Sequence, residues 1–295
     1  MTAVPLLAAV VLVSEISVAK AQTVDCRETA GPPNPIELAL NGQSQNLLIM
    51  GTCVGPVTVA ADDVRIYGFA VDGEDAIVGQ VTVDGAQRFR LQDLRITTGA
   101  DDEEQIGIYV IGGASAQIWN VVVEDTQDSG IDVRFGSFAR VMDSTIRGNV
   151  WGLSVGIGGV VDGLRNTIEE NDDIQVDIYQ HGTYRGTRET IIGEPTGPQP
   201  SLALSAARLS HVDLRRQTRI VGDIDASLGS HLRLRGQTQL TGDIRVDSQT
   251  TVDVADGSAV EGNIETQNLS IVRVLGDATV DGTVRCYRTS VCMED

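Results

Sequence analysis

Apolar and polar positions in the last third of the chain repeat every 20 residues. The segments HVDLRRQTRIVGDI, HLRLRGQTQLTGDI, TVDVADGSAVEGNI and IVRVLGDATVDGTV begin at residues 211, 231, 251 and 271 and align without gaps. One such unit is too short to bury its own apolar side chains, so consecutive units must stack on one another. Apolar residues two apart within each unit predict strands with alternate side chains turned inward. The pattern therefore predicts a solenoid of short parallel strands.

Four columns of apolar residues define the inward positions of this solenoid. Glycine recurs between two of the strands, at Gly222 and its equivalents, where the chain must turn a corner. The columns are Val212, Leu232, Val252 and Val272; Leu214, Leu234, Val254 and Val274; Ile220, Leu240, Val260 and Val280; and Ile224, Ile244, Ile264 and Val284.

Charge alternates in the columns expected to face outward. One column reads Asp213, Arg233, Asp253 and Arg273, and a second reads Asp225, Arg245, Glu265 and Arg285. Side chains in a parallel stack lie about 4.8 Å apart, so neighbouring opposite charges attract and like charges repel. Two columns that both alternate support the predicted register.

The middle of the chain repeats less regularly, at 22 to 23 residues. GIYV, GIDV and GLSV follow one another, and Val123, Ile146 and Ile168 form an inward column beside the charged residues Glu124, Arg147 and Glu169. Asn149 and Asn171 align at a turn, where stacked amides can bond along the axis. The organisation that we expect is an irregular β-helix over 22–192 with coils of 22 to 27 residues, a joint at 193–200, and a regular β-helix over 201–295.

The first 21 residues have the features of a signal peptide. An apolar run, Ala3 to Val13, precedes the small-residue segment Ala19-Lys20-Ala21, although the usual basic residues before the run are missing. The alternative is an apolar N-terminal segment of the folded chain.

The four cysteines form two local pairs, Cys26–Cys53 and Cys286–Cys292. We expect two disulfides made in an oxidising compartment; metal ligation is the alternative, but no CxxC or Cys/His spacing supports it.

The chain has 41 acidic and 22 basic residues and a formal net charge of −19. Long-range repulsion argues against nucleic acid or an anionic membrane as a partner. The only lysine, Lys20, lies in the predicted signal peptide, so no lysine is left to act as a base. We expect a secreted, periplasmic or cell-surface bacterial protein without membrane insertion after signal cleavage.

Two stretches of the chain resemble known β-helix families. Residues 50–190, above all GTCVGPVTVAADDVRIYG at 51–68, look like the right-handed parallel β-helix family of pectate lyases, polygalacturonases and uncharacterised exported bacterial proteins. Residues 205–285 are similar to bactofilins, which share the glycine-acid-isoleucine corner. The resemblance implies an all-β, single-stranded, right-handed parallel β-helix and says little about function. Bactofilins are cytoplasmic polymers, which a signal peptide and terminal disulfides do not match.

The best outward patch for chemistry is built from successive middle coils. It comprises Tyr109, Asp132, Arg134, Gln175, Asp177 and Tyr179, with His181 beside it. Asp132 and Arg134 should face the same way about 7 Å apart. Such a polar, partly aromatic face could hold a few sugar units, and the alternative is a solvated outer face. The match to polygalacturonases is fragmentary, because His181-Gly182 and Asp172-Asp173 are present but an Arg-x-Lys motif is absent.

Two further groups could bind a metal. Asp101, Asp102, Glu103 and Glu104 form an inserted acidic loop that could hold Ca²⁺, although it lacks the spaced ligands of a calcium loop. His211 and His231 are equivalent and should stack, but no third ligand is evident. We expect Trp119 to pack in the wall and Trp151 to be partly exposed. No cofactor other than possible calcium is expected.

The missing catalytic sets favour a non-catalytic exported β-helix that binds glycans or serves a structural role. One alternative is a divergent polysaccharide lyase or epimerase that acts on uronate polymers through Asp132, Arg134 and Asp177. Another, from the C-terminal resemblance alone, is a bactofilin-like polymerising scaffold. The terminal cysteine pairs, interpreted as clips at both ends of the solenoid, argue against end-to-end polymerisation.

Overall fold

The chain folds into a parallel β-solenoid of about 11 turns. The structure is a computed structural model that describes residues 21–27, 34–41, 45–69, 75–99, 105–193 and 202–294. One face of the solenoid is a sheet of 11 parallel strands, one from each coil, and 22 further strands form the rest of the wall. The predicted fold class, all-β with stacked parallel coils, is confirmed.

The strands are short, and one helix lies near the start. The N-terminal half contains β1 (Gln22–Asp25), α1 (Pro35–Asn41), β2 (Asn46–Met50), β3 (Thr52–Val54), β4 (Val57–Val59), β5 (Arg65–Gly68), β6 (Ala76–Val78), β7 (Val81–Asp84), β8 (Phe89–Thr97), β9 (Ile108–Ile111), β10 (Ser115–Glu124), β11 (Ser129–Val133), β12 (Phe138–Met142), β13 (Thr145–Arg147), β14 (Trp151–Val155), β15 (Val160–Leu164) and β16 (Thr167–Glu169). The C-terminal half contains β17 (Ile174–Ile178), β18 (Thr183–Thr187), β19 (Thr190–Ile192), β20 (Leu202–Ala206), β21 (His211–Arg215), β22 (Arg219–Val221), β23 (Ile224–Ala226), β24 (His231–Arg235), β25 (Gln239–Thr241), β26 (Ile244–Val246), β27 (Thr251–Val254), β28 (Ala259–Glu261), β29 (Ile264–Thr266), β30 (Ile271–Val274), β31 (Thr279–Val280), β32 (Val284–Cys286) and β33 (Val291–Glu294).

The predicted inward columns form the core. Val212, Leu232 and Val252 are paired across β21, β24 and β27, and all three are fully buried. The middle coils follow the same rule, since Ile108, Ile131 and Leu153 are paired and buried. Repetition of one inward position fixes the register, because a slip of one residue would turn every apolar side chain to solvent. The predicted columns and register are confirmed.

The alternating outward column is longer than the repeat alone predicts. The strand register extends it to seven coils, in the order Arg140, Asp162, Arg185, Asp213, Arg233, Asp253 and Arg273. The ion pairs differ from a simple ladder at Asp213, whose Oδ2 accepts bonds of 2.6 Å from both Arg215 and Arg235. Long arginine side chains reach along and across strands, so partners are not confined to one column.

Stacking continues across the predicted joint. Ile191 pairs with Ile220, Tyr184 with Val212, and Val176 with Leu204, so the coils on either side are direct neighbours. Residues 194–200 of the joint lie outside the described residues. The irregular and regular coils therefore belong to one continuous wall.

A short helix at the N-terminal end is the element that hydrophobic periodicity missed. Asn34 accepts a hydrogen bond from the backbone of Ile36 at 2.9 Å, and Pro35 takes the first helical position. Ile36 and Ala39 are buried against the first coils. The Cys26–Cys53 disulfide joins the same region.

The predicted Cys286–Cys292 disulfide is also present and closes the last coil. The inward positions near this end, Val280, Val284 and Cys292, are only partly buried. No described residue forms an element over this end. Two disulfides indicate an oxidising environment. No helix in the described ranges is long and apolar enough to cross a membrane.

Candidate functional site

The candidate face lies on the outer side of the 11-stranded sheet. Tyr109 on β9 pairs with Asp132 on β11, which pairs in turn with Ser154 on β14. The same column continues to Asp177 on β17 and Ser205 on β20. Alternation along each strand turns these side chains outward, while their neighbours Val133, Val155 and Ile178 enter the core.

Arg134 is the centre of the face. Its Nε donates a 2.8 Å hydrogen bond to Oδ1 of Asp132, and its second terminal nitrogen contacts Oδ2, so the pair is bidentate. The guanidinium lies 5.9 Å from the ring centre of Tyr109 and 5.7 Å from that of Tyr179. Both distances suit a cation–π interaction, and the planar fork suits a carboxylate. The three predicted residues therefore form one rigid unit with Asp132, which we call the Tyr–Arg–Tyr stack.

Gly156 makes room for one ring of this stack. A Cβ atom added there would lie 2.3 Å from Cζ of Tyr179, so the ring covers the backbone of the previous coil. Ser154 and Ser205 flank Asp177 in the outward column. The side chain of Ser154 acts to lower the pKa of Tyr179, and that of Ser205 acts to lower the pKa of Asp177. These two serines complete the face and were not predicted, although their place in the column could have identified them.

Burial controls the electrostatics of the face. It raises the pKa of Asp132 to about 6, even though Arg134 acts in the opposite direction. Burial also raises the pKa of Asp177, with Ser205 opposing it, and raises the pKa of both tyrosines. Desolvation disfavours the charged form of a carboxyl group, which explains the direction of the shift in both aspartates.

Gln175 does not belong to the outer face, so that prediction is wrong. Its side chain is fully buried, and its Oε1 accepts a 2.6 Å hydrogen bond from Asn171. Asn171 in turn accepts a 2.9 Å bond from Nδ2 of Asn149, whose Oδ1 accepts a bond from Thr126. Gln175 comes just after the corner, where the chain turns its side chain inward. It closes the predicted asparagine stack instead of binding a ligand.

His181 lies beyond the end of β17, on a turn. It is exposed, has a backbone φ of 66°, and borders a shallow pocket with Ile157, Arg208 and Leu209. The structure therefore places it around the corner from the Tyr–Arg–Tyr stack.

Neither predicted metal site is seen in the residues that the structure describes. The loop Asp101 to Glu104 lies outside the described residues. In the rest of the chain that the structure describes, no three His, Cys, Asp or Glu side chains are placed to hold a metal. His211 and His231 do stack edge to face at 5.3 Å, and His231 is 3.1 Å from Asp253. They form part of the outward ion-pair network.

The two tryptophans differ from each other in the structure. Trp119 is 41% exposed and donates to Asp143, so its predicted packing inside the wall is wrong. Position 119 pairs with Gln92 and Met142 in an outward column. Trp151 is partly exposed, as predicted.

Comparison with known proteins yields a likeness of fold. No family model and no curated protein matches the chain. The crystal structure of the Agl-KA catalytic domain is similar with a TM-score of 0.51 and 12% sequence identity, over 94% of this chain and 69% of that one. This likeness confirms a β-helix architecture and does not transfer an activity.

Proposed function

We propose that the protein is an exported β-helix that binds a glycan on the outer face formed by the Tyr–Arg–Tyr stack, Asp177, Ser154 and Ser205. The observation that carries the proposal is the guanidinium of Arg134 fixed between two tyrosine rings and ion-paired to a buried carboxylate. Polar groups already held in place cost little entropy when a ligand binds. Tyrosine rings offer apolar area with a polar edge, which suits the mixed surface of a sugar.

The burial of Asp132 and its pairing with Arg134 favour a binding function over a catalytic one. Its side chain has no exposed surface, and both of its oxygens contact Arg134. A general base must lie within hydrogen-bond reach of the substrate proton, which a buried carboxylate does not. Asp132 therefore acts as the anchor that orients Arg134.

A glycan array followed by calorimetry tests the proposal. Tyr109→Ala and Tyr179→Ala should each weaken binding of the best ligand about tenfold or more, since aromatic anchors carry much of the binding energy of an interface. The matched control is Tyr67→Ala, on β5 away from this face, which should bind as the wild type does. Absence of any ligand on a broad array, or equal loss in all three variants, would refute the proposal.

A second candidate is a divergent polysaccharide lyase or epimerase. The observation that favours it is the raised pKa of Asp177, a half-buried carboxyl group on the same face. Raised pKa values cluster where groups exchange protons near neutral pH. In this hypothesis Asp177 removes the proton from the carbon next to the uronate carboxyl group, and Arg134 lies beside the substrate. A lyase then forms a C=C bond as the neighbouring glycosidic C–O bond breaks, and water protonates the leaving oxygen. An epimerase instead returns a proton to the opposite face of the same carbon.

An assay on uronate polymers separates the two candidates. A lyase would generate unsaturated products that absorb in the ultraviolet, with or without added Ca²⁺, and Asp177→Asn would abolish the signal. A non-catalytic binder would give no product from the same polymers that it retains on a column.

A further inference from the structure

One corner of the solenoid carries a row of similar turns. After each strand of the 11-stranded sheet from β11 onward, a two-residue tip leads into the next face. The first residue of every tip has a left-handed backbone, with φ between 46° and 58°. The tips are Phe135-Gly136, Ile157-Gly158, Gln180-His181, Arg208-Leu209, Leu228-Gly229, Ser248-Gln249, Asn268-Leu269 and Arg288-Thr289. We call this row the turn ridge.

Large apolar side chains on the turn ridge are exposed. Phe135 is 50% exposed, Leu209 60% and Leu269 56%, and Ile157 and Leu228 are exposed as well. All five have a positive φ, a conformation that suits Gly, Asn or Asp and is most costly for a β-branched residue such as Ile157. Five tips of one corner thus combine an unfavourable backbone conformation with an exposed apolar side chain. This combination is typical of an interaction surface.

The turn ridge is also almost free of acidic residues. The whole chain has a net charge of −19, yet the four-residue turns that carry the eight tips contain a single acid, Asp247. Arginine is present three times, at Arg134, Arg208 and Arg288. A second copy of this acidic chain would therefore be repelled least if it approached along the turn ridge.

The six inner tips of the turn ridge match in polarity when their order is reversed. We propose that the ridge is the contact surface of a twofold dimer in which two copies of this chain lie antiparallel. The axis passes between the coils of Leu209 and Leu228. Leu209 then faces Leu228 and Ile157 faces Leu269, so apolar tips meet apolar tips, and the polar His181 faces the polar Gln249. The outermost pair sets Phe135 against Arg288. Each pair occurs twice, as an isologous interface requires.

Charge supports the antiparallel order. The coil of Asp247 faces the coil of His181 and lies next to that of Arg208, so the one acid of each ridge meets basic residues of the other copy. Arg288 meets an aromatic ring, which a guanidinium can stack on. A parallel pair would instead set Arg208 against Arg208 and Arg288 against Arg288.

The size of the surface predicts a weak dimer. Eight coils at about 4.8 Å spacing give a ridge about 34 Å long. Most of the turns are closed by a backbone hydrogen bond between their first and fourth residues, as in Ser137 to Arg134 and Gly159 to Gly156, so each turn is at most about 7 Å wide. The resulting area of about 240 Å² per copy is roughly a third of the ~800 Å² per partner of a standard interface. Dissociation in the micromolar range or weaker is the expected behaviour.

Sedimentation velocity over a concentration series tests the dimer. The wild-type chain should shift from monomer to dimer between about 1 and 500 µM, and Leu209→Asn with Leu228→Asn should abolish the shift. Asparagine tolerates a left-handed backbone, so the variant should melt at or above the wild-type temperature. Leu38→Asn, an exposed leucine on α1, is the matched control and should dimerise normally. A wild-type monomer throughout the series, or an unaltered dimer in the double variant, overturns the proposal.

Cross-linking tests the orientation. Phe135→Cys and Arg288→Cys chains should form a disulfide with each other when mixed, and neither should link to itself. In an antiparallel pair the two copies of position 135 are seven coils, or about 34 Å, apart. Self-linking of either variant would overturn the antiparallel arrangement. The experiments require no glycan, so their outcome is independent of the proposed function.

Discussion

Glu189 is a carboxyl group inside the solenoid. It is 1% exposed, and burial raises its pKa to about 8. Asn166 donates a 3.4 Å hydrogen bond to it, and the ring of Tyr184 lies beside it in the core. Gly163 and Gly186 make the space, since a Cβ atom at either position would come within 2.9 Å of the Glu189 side chain.

The raised pKa of Glu189 predicts a loss of stability with rising pH. The folded pKa of about 8 lies above the unfolded value of about 4.3. The stability from this group is therefore complete below about pH 4 and is lost as the pH rises through about 8. Denaturant unfolding should show the wild type losing on the order of a few kcal/mol more than Glu189→Gln across this range.

The exposed Glu170 provides a control for this measurement. Glu170→Gln should keep the wild-type pH dependence. An identical pH dependence in Glu189→Gln and the wild type would show that Glu189 is not held neutral in the fold.

The sequence pattern did not predict that Glu189, Tyr184 and Asn166 lie together in the core. Two glycines in a column of apolar residues, Gly163 and Gly186 between Val141 and Leu214, were the signal of a large neighbour inside. Asp132 and Arg134 could be placed on one face from strand alternation alone. The bidentate pairing and the two-ring stack depend on side-chain rotamers, which the periodic pattern does not determine.

At the scale of elements, the corner between coils is stabilised by stacked amides. Asn171 accepts hydrogen bonds from both the backbone and the side chain of Asn149, and it donates to Gln175. All three side chains are buried. Buried polar groups that lose a partner keep their desolvation cost, so the amides depend on one another.

Removal of the central amide should therefore be costly. Asn171→Ala is expected to lower the free energy of unfolding by roughly 2 to 4 kcal/mol, because it removes the acceptor of the Asn149 backbone N–H and Nδ2 groups and the side-chain donor to Oε1 of Gln175. Asn263→Ala, at a half-buried corner position of the regular coils, should cost about 1 kcal/mol or less. Equal losses in the two variants, measured by chemical denaturation, would contradict this account.

Element-level prediction was strongest where the same position recurs in many coils. Strand register followed from the inward columns because every coil repeats the same constraint. The corner residue Gln175 was misplaced because strict alternation fails where the chain bends. Helix α1 was missed because its seven residues, about two turns, are too short to show a period, although Asn34-Pro35 is a recognisable helix start.

At the scale of the whole molecule, each coil contacts only its neighbours, so stability is distributed along one dimension. Among the described residues, the first and last coils each stack on a coil on one side only, and a disulfide lies at each of these ends, Cys26–Cys53 and Cys286–Cys292.

Reduction of the disulfides should loosen the ends and leave the centre intact. Hydrogen exchange should accelerate in β1 to β4 and in β31 to β33, while β11 to β27 remain protected. The variant Cys286→Ser with Cys292→Ser should restrict the change to the C-terminal end. Uniform acceleration along the chain would mean that the solenoid unfolds as a single cooperative unit instead.

The alternating charge column limits how this solenoid can grow or shrink. Loss of one 20-residue unit, residues 231–250, would place Asp213 beside Asp253 and Asp225 beside Glu265. Loss of two units, 231–270, would place each acid beside an arginine, Arg273 and Arg285. Duplication or deletion of coils therefore keeps opposite charges adjacent in these columns only when it adds or removes two coils at a time. The repeating unit that can be gained or lost without like-charge contacts is a pair of coils.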